Sequence, residues 1–185
     1  MRLFFAIPVP DEVKASLCNV VDRLTSVASN VTWCKRDQLH ITLAFLGEVA
    51  PLILPHVTAA ADRVCAMLSP FVCRAHGLGI FGTKRMPTTL WAGIDPSPEL
   101  DFLHEQLWLE LEKYGLKNKT SDFRAHITLG RCRSKTNNRN LVRAMENDEE
   151  IEFGDWTVKG VTLYESRLTP QGALHRRLNQ SPLLG

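Results

Sequence analysis

Two segments of this chain open with the same four letters: "HITLAFLGEV" begins at His40 and "HITLGRCR" at His126. Only six histidines occur in the 185 residues, so two of them standing before the same Ile-Thr-Leu call for a reason. Along a β-strand, side chains alternate between faces. His40 and Thr42 should then point one way, with Ile41, Leu43 and Phe45 pointing the other. In the second copy His126 and Thr128 share a face, with Ile127 and Leu129 opposite. The apolar set anchors each strand in a core and leaves an imidazole and a hydroxyl projecting together. If the two strands face one cleft, it holds two histidines and two threonines.

Such a quartet suits phosphoryl chemistry. In-line displacement at phosphorus needs a base to activate the attacking oxygen and an acid to protonate the leaving one. Two imidazoles with ordinary pKa values near 6.5 can occupy opposite protonation states close to neutral pH. Threonine hydroxyls can donate to the non-bridging oxygens, where charge concentrates. No metal is required by this scheme. A lone histidine on a strand is more often structural than catalytic. The catalytic reading rests on residue type, two-residue spacing, strand context and duplication agreeing.

The elements that must position these residues follow from patterning. "RLFFAIPV" is a short apolar run ended by Pro8 and Pro10, a buried strand. "DEVKASLCNVVDRLTSVAS" carries Val13, Leu17, Val20, Val21 and Leu24 at helical spacing, with two acids in its first turn. "VTWCK" and "LHITLAFLG" are strand-like, and "LPHVTAAADRVCAML" is an alanine-rich helix closed by Ser69-Pro70. A second run repeats the order. "FVCRAHGLGIF" and "TTLWAGI" are strands, and "ELDFLHEQLWLELEKYG" is a helix with Leu100, Leu103, Leu107 and Leu111 in a stripe ended by Gly115. "AHITLGR" is again a strand. "CRSKTNNRN" is a polar loop, "LVRAMEND" a short helix, and "WTVKGVTLYESRLTP" with "LHRRLN" a closing pair of strands turning at Gly172. Internal duplication is the simplest account of two such halves.

Composition limits the alternatives. With 44% hydrophobic residues the chain can bury a real core, enough for one domain or two small lobes sharing an interface. A net charge of +2, from 22 basic and 20 acidic side chains, gives no broad cationic face for duplex DNA. Cys18, Cys34, Cys65, Cys73 and Cys132 are odd in number and form no C-x-x-C pair, so they read as thiols in a reducing cytosol. "MRLFFAIPVPDEVK" lacks a cleavage site and reads as a first strand rather than a leader. No apolar run approaches the roughly 20 residues needed to span a bilayer, so a cytoplasmic protein without membrane contact is expected.

The chain resembles the two-histidine phosphoesterase superfamily, and within it the RNA 2',3'-cyclic phosphodiesterases also described as 2'-5' RNA ligases. "RLFFAIPVP", "LHITLAFLGEV", "HITLGR" and "VTLYESRLTPQG" carry the resemblance over nearly the whole length. It implies an α+β, bilobal fold in which two pseudo-symmetric antiparallel sheets line a central cleft with helices outside. Residues 1–185 would form a single domain of two intertwined lobes, each with one H-x-T-x motif. It implies that His40 is the proton donor and that His126 is the acceptor that activates water. Thr42 and Thr128 would hold the phosphate, and Arg131 would offer charge at the cleft edge, where a solvated arginine is the plainer reading. The substrate would be an RNA with a 2',3'-cyclic phosphate end, or a cyclic nucleotide, opened to a 2'-phosphomonoester without cofactor by a monomer. ATP-independent 2'-5' RNA joining at the same site is the alternative reaction. The chain has no adenylylating lysine motif and no P-loop. A binding module that holds an RNA end without turning it over is the non-enzymatic alternative. Where relatives often carry an aromatic residue in the final strand, this chain has His175, which either contacts substrate or is simply a surface histidine; the surface reading is preferred.

Other motifs carry less. "GLGIFG", Gly77 to Gly82, matches G-x-G-x-x-G, but Pro87 and a strand follow where a helix is needed. It reads as a flexible or tightly turning glycine segment whose Lys84 and Arg85 could reach toward RNA. "HEQLW" places Trp108 where a zinc protease needs its second histidine, so Trp108 is expected beside the leucine stripe. His56 and His76 have no partner spacing and read as structural or exposed. The basic run 131–139 is either a solvated loop or a device for steering RNA.

Overall fold

The computed structural model describes residues 1–28, 30–119, 122–133, 139–146, 148, 150–170 and 172–185. The chain opens with β1 (Arg2–Pro8), then α1 (Asp11–Thr25), whose Asp11 and Glu12 lie in the first turn and whose Val13, Leu17, Val20, Val21 and Leu24 are buried. β2 (Val31–Trp33) and β3 (His40–Glu48) lead to α2 (Leu54–Cys65). The second half gives β4 (Phe71–Gly82), β5 (Pro87–Ile94), α3 (Pro98–Glu112) and β6 (His126–Cys132). The Ser97 hydroxyl accepts from the Leu100 backbone N–H at 3.3 Å and caps α3. α4 (Arg139–Glu146), β7 (Glu152–Val158), β8 (Gly160–Thr169) and β9 (Gly172–Pro182) complete the chain. Part of the expected polar loop, residues 134–138, lies outside the described residues.

The strands form one antiparallel sheet in the order β7-β4-β5-β6-β3-β1-β8-β9, with β2 attached to β6. Its two halves meet at the centre, where β3 pairs with β6 through Ile41 and Ile127. Outward from that junction, each side of this path has four strands. The two pseudo-symmetric antiparallel halves expected for the fold are thus fused edge to edge. The helices cover one face, against which Ile41 and Ile127 are fully buried. On that side α3 is fastened to β3 by His104, whose ring nitrogen Nδ1 lies 2.7 Å from the Leu43 carbonyl oxygen. α2 and α3 are joined by the pair Arg63 and Glu110 at 2.7 Å.

Three expectations need correction. "WTVKGVTLYESRLTP" is not one strand: Lys159 alone separates β7, at one edge of the sheet, from β8, next to the other edge. A one-residue link between distant positions in the order requires the sheet to curl until its ends approach. "GLGIFG" is neither flexible nor a tight turn. It lies within β4, and a Cβ at Gly79 would fall 2.1 Å from the Trp91 ring on β5. Glycine is needed there for close approach. Finally, β3 does not alternate strictly. β1 pairs Ala6 with Thr42 and Phe5 with Ala44, skipping Leu43, so a bulge follows Thr42 and Leu43 and Ala44 are both buried. Phe45 is thereby turned away from the core to the face that His40 and Thr42 share.

Candidate active site

The backbone register assembles the quartet. With Ile41 opposite Ile127 in an antiparallel pair, one further step each way sets His40 opposite Thr128 and Thr42 opposite His126. Side chains at these positions lie on the face away from the helices, since Ile41, Ile127 and Leu129 are fully buried on the other.

Both imidazoles are held the same way. His40 Nδ1 lies 2.6 Å from the carbonyl oxygen of Gln38, and His126 Nδ1 lies 2.7 Å from that of Arg124, in each case two residues earlier. A carbonyl oxygen can only accept, so Nδ1 carries the proton in both rings and Nε2 is left for chemistry. Thr42 Oγ1 stands 3.1 Å from His40 Nε2 and donates to it when the ring is neutral. Gln38 is itself fixed at both ends of its amide. Its Oε1 accepts from the Lys35 backbone N–H at 2.7 Å, and its Nε2 donates to the Ala173 carbonyl at 2.6 Å. The carbonyl that orients His40 is therefore tied to β9.

The surroundings of the two rings differ. His40 stacks on Phe4 at 4.9 Å between centroids, and Phe4 in turn stacks on Tyr164 at 5.3 Å. His126 meets the Phe81 ring edge-on at 4.9 Å, and the Arg124 guanidinium sits over the nearby Trp91 ring at 4.5 Å. Burial pushes His40 down to about 4, helped by the positive charges that His175 and His126 can carry and opposed by the Gln38 carbonyl. Burial also lowers His126; its Arg124 carbonyl bond opposes this, while the Arg131 and Arg124 charges add to it.

A cleft of about 350 Å³ opens on the His40 side of this face. His40, Thr42, Thr128 and Arg131 all line it, whereas His126 lies outside that lining. Arg131 donates to Thr89 Oγ1 at 3.4 Å and acts electrostatically on both His126 and Cys34. Cys34 lines the cleft too, but burial pushes its thiol up, so it is no thiolate nucleophile at neutral pH.

Two cleft residues stand outside the expected site. His175 is not a surface histidine: β9 packs beside β8, and its ring sits edge-on to both Phe4, at 4.9 Å, and His40, at 5.3 Å. Substrate contact was the other reading that the sequence offered for His175. Phe45 lines the same cleft because of the bulge, and strict alternation gave no sign of it. Residues set aside as structural are so placed. His104 is buried against the Phe123 ring at 4.1 Å, Trp108 joins the core, and His56 stacks on Tyr114. Lys84, offered as a cation for RNA, lies 2.5 Å from Glu146 on α4. Among the described residues no group of three or more His, Cys, Asp or Glu is placed to hold a metal ion. No described helix is long and apolar enough to cross a membrane.

The chain is similar to known proteins over its whole length. The family model described as the 2'-5' RNA ligase superfamily matches residues 10–169. A protein of Archaeoglobus fulgidus named RNA 2',3'-cyclic phosphodiesterase is 32% identical over 178 residues, covering 96% of this chain and 98% of the relative. A Thermotoga maritima protein of the same name is 29% identical, covering 100% of this chain and 97% of the relative. Among solved structures, TT0787 of Thermus thermophilus superposes with a TM-score of 0.86 at 28% identity, covering 100% of this chain and 99% of that one.

Proposed function

The chain belongs to the 2'-5' RNA ligase superfamily, and on that footing we propose that it opens RNA 2',3'-cyclic phosphate ends to 2'-phosphomonoesters. His126 Nε2 takes the proton of the attacking water as its oxygen bonds to phosphorus. The bond from phosphorus to the 3'-oxygen breaks, and His40 Nε2 delivers a proton to that oxygen. Thr42 and Thr128 donate hydrogen bonds to the non-bridging oxygens, and Arg131 supplies charge from the cleft wall. We further read residues 1–185 as one domain of two lobes, each contributing one histidine to a shared phosphorus.

The observation that carries the reading is the matched pair of rings. Each is locked through Nδ1 to the carbonyl two residues earlier, which leaves Nε2 for chemistry. The offset of the cleft supports the division of roles. After the bond breaks, the leaving 3'-oxygen stays on its ribose, so the nucleotide must lie beside the acid and the water beside the base. His40 lines the cleft, while the His126 strand contributes Thr128 and Arg131 to it. The free protein holds His40 neutral at pH 7, and the anionic phosphate, once bound, favours the protonated ring that the acid role needs.

The family description also favours a second reaction at this site. If an RNA 5'-hydroxyl replaces water as the nucleophile, the same loss of the 3'-oxygen yields a 2'-5' phosphodiester with no other change in the chemistry. Incubating the protein with adenosine 2',3'-cyclic phosphate and a chelator, with the product identified by phosphorus NMR, tests the proposal. Adenosine 2'-phosphate is expected, and His40→Ala and His126→Ala should each lower turnover about 10² to 10⁴-fold. A 3'-phosphate product, or full turnover in both variants, would overturn it.

A further inference from the structure

Among the residues lining the cleft, Phe45 and Leu168 keep large apolar surfaces open to solvent, 48% and 72% exposed. Phe45 owes its position to the departure from regular pairing around Leu43. Bulges beside functional sites re-aim side chains in this way. The bulge is also secured from behind, since the carbonyl of the skipped residue Leu43 is met by the buried ring of His104. In front, the Arg2 guanidinium carbon lies 5.0 Å from the centre of the Phe45 ring. An aromatic ring held out of the core by a bulge, braced by a cation and left half open has the makings of a stacking surface.

We propose that Phe45, braced by Arg2, is the platform for the base of the nucleotide preceding the one that bears the cyclic phosphate, so that the cleft takes a single-stranded RNA end rather than a mononucleotide. This rests on the RNA-end reading given above. Phe45 stands five residues along β3 from His40, roughly 16 Å at about 3.3 Å per residue. That is farther than the base on the reacting ribose reaches, and it suits the next one. Arg2, Lys35 and Arg131 line the cleft, and among the described residues no Asp or Glu does, as a polyanion requires. Leu168, from the β8–β9 hairpin, adds apolar surface to the same cleft. A paired strand keeps its bases stacked on one another, so only an unpaired end can offer a base to such a ring.

The test compares kcat/KM for a mononucleoside 2',3'-cyclic phosphate with that for a dinucleotide ending in the same group, in the wild type, Phe45→Tyr and Phe45→Ala. Stacking on an aromatic side chain supplies roughly 10-fold or more. The wild type and Phe45→Tyr should therefore favour the dinucleotide by about that factor, and Phe45→Ala should lose most of the ratio. In a binding arm, a dinucleotide 2'-phosphate carrying 2-aminopurine as its 5' base should be quenched by the wild type and not by Phe45→Ala. A wild-type ratio near one, or a ratio or quenching that Phe45→Ala leaves intact, overturns the platform. The fluorescence arm reads the platform even in a protein inert toward both substrates, an outcome that would overturn the hydrolase reading alone.

Discussion

His40 should make the stability of this protein depend on pH in a way that one substitution removes. In the fold the ring titrates at about 4 because it is buried, with His175 and His126 adding like charge when protonated. In the unfolded chain it titrates near 6.5. Between those values the unfolded chain binds the proton and the fold does not, so stability is full above about pH 6.5 and falls as the pH drops through this window. Each pH unit separating the two midpoints is worth about 1.36 kcal/mol, so the gap of about 2.5 gives a loss of about 3 kcal/mol once the pH is below 4. At pH 5 about 2 kcal/mol of it is already gone. The perturbation is His40→Phe, which keeps a ring against Phe4 and removes the titration. Urea unfolding of both proteins from pH 7.5 to pH 4 gives the measurement, and their remaining carboxylates and histidines titrate in common. The wild type should lose about 3 kcal/mol more than the variant. Parallel curves would refute the argument, because a His40 that charges as easily in the fold as in the unfolded chain cannot be buried beside cations as described.

Two other outcomes follow from the same geometry. Because His40 titrates at about 4 and burial holds His126 below its ordinary value, the free pair is singly protonated only at acidic pH. The kcat/KM profile for a cyclic nucleotide should therefore peak below about pH 6.5, and a maximum above pH 7 would count against the paired-histidine scheme. His104→Leu should cost about 1 to 3 kcal/mol in urea unfolding, since it removes the ring donor that meets the buried Leu43 carbonyl. A neutral effect would mean that the bulge needs no support from α3.

Much of the site could be read from four letters. Strand alternation separated His and Thr from Ile and Leu in each copy, and Ile41 and Ile127 are indeed the buried pair at the junction of the halves. The helices were equally legible, because a leucine stripe at Leu100, Leu103, Leu107 and Leu111 is a local pattern. What stayed hidden depends on pairing between distant segments. A bulge is defined by the partner strand, so nothing in "HITLAFLG" announces that Leu43 is skipped and Phe45 turned outward. Gly79 is small because Trp91 of the neighbouring strand lies on it. The reading of "GLGIFG" as a turn failed for want of that neighbour. His175 approaches His40 only because β8 and β9 lie beyond β1 in the sheet order, an order no local pattern encodes.

Pseudo-symmetry supplies two equivalent histidines, yet the proposed displacement at phosphorus needs them unequal. The inequality lies in the charges around them. The cations that hold His126 down are Arg131 and Arg124, and a guanidinium stays charged at every relevant pH. The charges that hold His40 down come first from His175 and His126, with Lys14 last. His175 and His126 are themselves lowered by burial, so near neutral pH both are uncharged and little like charge opposes His40 beyond Lys14. An anionic phosphate entering the cleft must then overcome mainly desolvation to protonate His40, but at His126 it must also contend with two fixed cations. His40 is nevertheless the more strongly lowered ring, so the acid role proposed for it requires the bound phosphate to raise His40 by more than it raises His126.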